Sequence, residues 1–155
     1  MPILEATTQR LGYYGAVLVE DGAVVRFPEP DYPIWKMELG KNYVDGLVMT
    51  DQSTGFYLEY HRDRPHWHQP LPPDAGGNYI LARGAATGPG TQENQLTTFR
   101  IPYGAAVYTG LSAIHCDAPL VGQNWLVGYS GSGDFSTALV RNARGERVRL
   151  TGVDR

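Results

Sequence analysis

Histidine is the side chain of this sequence best suited to carry chemistry, and three of its four copies, His61, His66 and His68, crowd into one stretch with Arg62, Asp63, Arg64 and Pro65. His66 and His68 are two apart, so on a strand both imidazoles point to one face and can meet one ion while Trp67 points to the other. A site built on strands needs a further ligand from elsewhere in the chain, and His115 is the only histidine left. These residues predict a metal site of His66, His68 and His115. His61, five residues before His66, faces the other way along an unbroken strand, although Pro65 is able to end that strand and reset the alternation. Beside Arg62 and Asp63 it reads as a solvated or hydrogen-bonded side chain. Tyr57 and Glu59 share a strand face and are the candidate catalytic residues. Glu59 is open between fourth ligand, general base and plain surface carboxylate, because a base must lie within hydrogen-bond reach of its substrate. Cys116 points away from His115 on a regular strand and reads as a buried structural thiol, and Asp117 is a candidate acceptor behind the ligands.

The elements that position these residues are short strands. Tyr14 to Glu20 reads as a strand, with Asp21-Gly22 favouring a tight hairpin turn into Ala23 to Phe27. Pro28, Pro30 and Pro33 interrupt, and Ile34 to Leu39 resumes the alternation up to Gly40. Further runs follow at Gly46 to Thr50, Phe56 to His61, Tyr79 to Ala82, Gln95 to Ile101, Ala105 to Tyr108 and Trp125 to Tyr129. The Gly- and Ala-rich segment Arg83 to Thr91 reads as a loop between two halves of one domain. In the tail, Val140 to Glu146 reads as a hairpin turn between two strands, with a short helix as the other possibility. Tyr occurs 10 times, Gly 19 and Pro 11, a mix of strand formers and turn residues that disfavours long helices. Evenly spaced strands without amphipathic helices predict an all-β sandwich or barrel.

Two spacings resemble the motifs of the cupin superfamily. Gly104, Gly110, Ser112 and His115 reproduce the spacing of its second motif, though Pro and Gly usually stand where Gly110 and Ser112 do. His66-Trp67-His68 followed by Tyr79-Ile80-Leu81-Ala82-Arg83-Gly84 resembles the first. The likeness covers roughly residues 55 to 130 and implies a small single-domain cupin, a jelly-roll β-barrel with little helix whose ligands face its interior. The family's glutamate, three or four residues beyond the second histidine, has no counterpart, because Pro72 and Pro73 stand there and counting back from Gly84 reaches Gly77. The resemblance therefore implies a three-histidine set, as in a subset of cupin dioxygenases, or one that borrows Glu59 or His61. Neutral imidazoles leave the charge of a divalent ion uncompensated, which suits an anionic, chelating substrate. The ion is a transition metal, one of Fe, Zn, Ni, Mn or Cu, and chemistry with O2 requires a redox metal. The function implied is a small metal-dependent enzyme acting on a polar, metal-chelating molecule by oxygenation, isomerisation or elimination. A noncatalytic small-molecule-binding barrel is the alternative.

Bulk properties narrow the partners. The 155 residues predict one domain, 1–155, large enough to build a core without disulfides. With Lys+Arg 13 against Asp+Glu 16 the net charge is -3, so there is no basic surplus for a nucleic acid or an anionic membrane. One cysteine and an N-terminus without a signal-peptide pattern predict a cytoplasmic protein. Cupin-like barrels often pair through open strand edges, which predicts a homodimer.

Overall fold

The fold is described from a computed structural model over residues 3–27, 31–40, 57–88, 91–128, 133–146 and 148. Among these the chain is all-β apart from one short helix, α1 (Thr8–Gly12). The strands are β1 (Ile3–Glu5), β2 (Ala16–Val19), β3 (Ile34–Leu39), β4 (Tyr57–His61), β5 (His66–Pro70), β6 (Gly76–Gly77), β7 (Tyr79–Gly88), β8 (Thr91–Arg100), β9 (Ala106–Thr109), β10 (Ile114–Cys116), β11 (Leu120–Gly128) and β12 (Phe135–Leu139). They form two sheets. One runs β1-β8-β7-β10-β4-β12 and the other β2-β9-β5-β11-β3, with β6 also paired to β11. No helix among the described residues is long and apolar enough to cross a membrane.

Alternation decides what each sheet offers the interior. In β7, Tyr79 and Leu81 enter the main core with Leu39, Phe99, Val107, Trp125 and Val127, whereas Ile80 and Ala82 face the other side. There they join Leu58 and Cys116 in a second buried cluster, against which Val140 and Val148 pack. The central strands of this sheet are therefore covered on both faces, and the tail supplies part of the outer cover. In register, His115 lies opposite Leu81 of β7 and Glu59 of β4, so both polar residues share the inner face. On the facing sheet His68 lies opposite Val127 and Val107, which places it and His66 inward and Trp67 outward.

Several expectations are corrected. The two sheets are not closed into a barrel: no ladder joins them among the described residues, and each ends in edge strands. Asp21-Gly22 does turn the chain, with Ala23 N–H donating to Glu20 O at 3.1 Å, but Ala23 to Phe27 forms no strand, because β2 takes β9 as its partner instead. The segment Arg83 to Thr91 is no loop between halves. Over its described residues it continues β7 and begins β8, paired through Gly84 opposite Asn94 and Ala85 opposite Glu93. The turn in the tail is present, with Asn142 N–H donating to Glu146 O at 2.9 Å and Val148 N–H to Val140 O at 3.1 Å. The run Gly46 to Thr50 lies outside the described residues.

Candidate metal centre

β4 and β5 belong to different sheets, and the link Arg62 to Pro65 carries the chain from one to the other. Asp63 anchors that link by accepting from Gly133 N–H at 3.0 Å, while Tyr32 O–H donates to Pro65 O at 2.7 Å. The crossing brings the last residue of β4, His61, against the first of β5, His66. Their rings stack at 3.8 Å with 27° between planes. The expectation that His61 faces away from His66 is overturned, because it required one unbroken strand and the chain changes sheet at Pro65.

His115 completes the cluster from β10, its ring centroid 5.3 Å from those of both His61 and His66. All three residues are buried, and one ligand atom of each lies within 4.8 Å of the others. The donor set fits a metal ion on two further observations. Both ring nitrogens of His66 are buried without a hydrogen-bond partner among the described residues, an arrangement that costs free energy unless something else satisfies a nitrogen lone pair. His115 Nδ1–H donates to Ala113 O at 3.0 Å, which fixes the tautomer and leaves Nε2 as a lone-pair donor.

Glu59 stands beside them. Its Oε1 is 3.5 Å from His115 Nε2 and its Oε2 is 4.0 Å from His61 Nε2. Ligand bonds of about 2.0–2.1 Å arranged tetrahedrally separate donor atoms by roughly 3.3 Å, so the carboxylate already sits near coordination spacing from two imidazoles. Burial, and then the charge of Asp117, pushes the Glu59 carboxyl up to about 8. Burial also pushes His115 down to about 4 and lowers His61, and it lowers His66 further with help from neighbouring His115. The imidazoles are thereby kept neutral, the form that binds metal, and a cation placed among these groups reverses the preference of Glu59 toward the carboxylate.

His68 is placed differently. It is fully buried on the same strand face as His66, but its ring centroid is 6.1 Å from that of His66, and its Nε2 lies 3.2 Å from Asp117 Oδ2. Burial alone raises the Asp117 carboxyl, but the hydrogen bond from His68 overcomes this and holds it below the usual carboxylate range. His68 Nε2–H therefore donates to an ionised Asp117. Tyr79 lines the same interior, stacked on His115 at 5.9 Å, with its hydroxyl paired to Thr109 Oγ1 at 2.8 Å. Tyr57 stands at the far end of β4 on the Glu59 face, half-buried and opposite Leu139. Cys116 is buried on the outer face, and burial pushes its thiol well up.

The sequence places His61 outside the three-histidine set, as a solvated side chain or a borrowed fourth ligand, yet a further signal is present: Tyr57, Glu59 and His61 keep period two on one strand, with Leu58 on the other face. No protein-family model matches this chain, and none of the curated proteins matches it in sequence.

Proposed function

We propose that this protein is a small cupin-like jelly-roll metalloenzyme whose ion is held by His61, His66 and His115, with Glu59 as the fourth ligand. The observation that carries the reading is the meeting of three buried imidazoles within 4.8 Å of one another, with ring nitrogens of His66 and His115 buried and lacking hydrogen-bond partners among the described residues. The fold assignment draws on strand order. Eight strands divide into β3-β11-β5-β9 and β4-β10-β7-β8, an order that supports the jelly-roll reading.

A divalent transition ion bound there supplies Lewis acidity toward an oxygen-donor substrate. This chain's own residues do the rest. Three neutral imidazoles and one carboxylate compensate only part of the ion's charge, so a polar, chelating and anionic substrate is the class favoured, in line with oxygenation, isomerisation or elimination. Glu59 couples coordination to proton release, since its carboxyl must give up a proton to bind. Tyr79 and Thr109 satisfy each other and close the interior around His115.

The test is the metal content of protein purified without a histidine tag. The wild type is expected to carry close to one transition ion per chain, and His61→Ala, His66→Ala and His115→Ala to lose it. A wild type that neither retains nor takes up a transition ion overturns the reading and favours the noncatalytic binding protein. Loaded protein is then screened for O2 consumption and turnover against chelating diketones, hydroxy acids and sugar acids.

A further inference from the structure

We infer that His68 and Asp117 form a positioning clamp, one hydrogen bond across the interior that sets the spacing between the metal ligands His66 and His115 without either clamp residue coordinating the ion. The inference rests on the ligand assignment proposed above. His68 follows His66 by two on β5, and Asp117 follows His115 by two, one residue past the end of β10. The offset is the same on both sheets. The His66–His115 pair, 5.3 Å between ring centroids, and the His68–Asp117 pair, 3.2 Å between polar atoms, are therefore neighbouring rungs between the same two strands. Each strand advances roughly 6.6–6.8 Å over two residues, so the clamp stands one rung from the ligands.

Facing sheets pack about 10 Å apart and are held mainly by non-directional apolar contact. A directional polar link next to the site adds what apolar packing lacks, a fixed distance. Both partners are dry, with His68 0% and Asp117 2% exposed, so the bond competes with no solvent and is stronger than a surface pair. With Nε2 on Asp117, the His68 ring centroid lies 6.1 Å from that of His66 and the residue stands outside the ligand group. A sequence with four inward histidines thus divides them into three ligands and one strut.

The test uses full-length protein, Co(II) as the probe, and visible ligand-field absorption beside the dissociation constant. His68→Ala and Asp117→Ala are each expected to bind one Co(II) with shifted bands and roughly 10- to 100-fold weaker affinity, the usual range for residues that orient ligands. Asp117→Asn, which keeps an acceptor oxygen for His68, is expected to retain the wild-type bands. The double variant His68→Ala/Asp117→Ala is expected to be no weaker than the weaker single variant, because both remove one interaction. Where His68→Ala, which removes the donor to the Asp117 carboxylate, fails to fold, the double variant, which leaves no carboxylate there, carries the comparison. Wild-type bands and affinity in His68→Ala and in the double variant overturn the clamp alone. Loss of Co(II) in His68→Ala but not in Asp117→Ala makes His68 a ligand and also overturns it. A wild type that binds no Co(II) overturns the metal site and the clamp together.

Discussion

Glu59 is the residue whose surroundings pull hardest against its own chemistry. Its carboxyl, ordinarily near 4.5, is pushed up to about 8 by burial first and by Asp117 second. In metal-stripped protein the folded state therefore binds a proton that the unfolded chain releases between these values. A group with a raised folded pKa contributes stability below pH 4.5 that is lost as pH rises through 8. Glu59→Gln cannot lose that proton. In the presence of a chelator its melting temperature is expected to match or exceed wild type above pH 8 and to converge on it near pH 5, and identical pH profiles would show that Glu59 is not desolvated. His115 acts in the opposite sense: held down to about 4, it favours the folded state above pH 6.5 and ceases to do so as pH falls toward 4. Much of this was legible from residue types, since the histidines and Glu59 stood out as the groups able to do chemistry. What spacing did not reveal was the partition among them. Parity on one strand groups His66 with His68, but metal binding needs convergence in space, and that depends on the chain changing sheets at Pro65.

At the scale of elements, β3, read as Ile34 to Leu39, is Ile34–Leu39 in the structure, because Pro33 and Gly40 mark its ends and its backbone pairs with β11 between them. The β7–β8 arm was missed for a physical reason. Side-chain periodicity reports burial, whereas Gly84 and Ala85 are exposed and held by ladder hydrogen bonds to β8 that need no apolar side chain. β11 shows a second backbone feature invisible to hydrophobic pattern. Its register against β3 shifts between Gly122 and Trp125, and Gly122 has φ +113, with any added Cβ colliding with the backbone of Asp74 and Ala75. Backbone cannot move aside as a flexible side chain does. Gly122→Ala is expected to cost on the order of 3 kcal/mol and to lower the melting temperature by roughly 6–12 °C in thermal denaturation, with metal stoichiometry unchanged. β3 also bears on assembly. It is the longest of the edge strands β1, β2, β3 and β12, and it leaves Ile34 38% and Trp35 50% exposed. Pairing of two such edges is the route by which the homodimer expected from the sequence would form. Light scattering at micromolar concentration is expected to give twice the chain mass, and Ile34→Lys/Trp35→Lys to give a monomer. A monomeric wild type removes the idea.

Seen as a whole molecule, two sheets face each other over an interior that holds an apolar cluster including Phe99, Trp125 and Val127 and, beside it, four histidines and two carboxylates. The all-β class was legible from strand spacing and turn residues. The choice between sandwich and barrel was not, because strand order depends on pairings far apart in sequence, such as β4 with β10 and β5 with β11. This architecture would make a bound metal a link between layers. His61 and His115 come from one sheet and His66 from the other, so a single ion held by them would tie the two together at a place where polar side chains replace apolar packing. Bound metal should consequently stabilise the entire domain, since it binds the folded chain and finds no assembled site in the unfolded one. At 100 times the dissociation constant the gain is about 2.7 kcal/mol, which raises the melting temperature of a domain this size by roughly 5–11 °C. Thermal melts with added transition metal and with chelator are expected to differ by that margin in the wild type. In His66→Ala the difference should vanish, because the only ligand from the second sheet is gone. A metal-dependent rise that persists in His66→Ala would place the ion on one sheet alone and defeat the cross-sheet site.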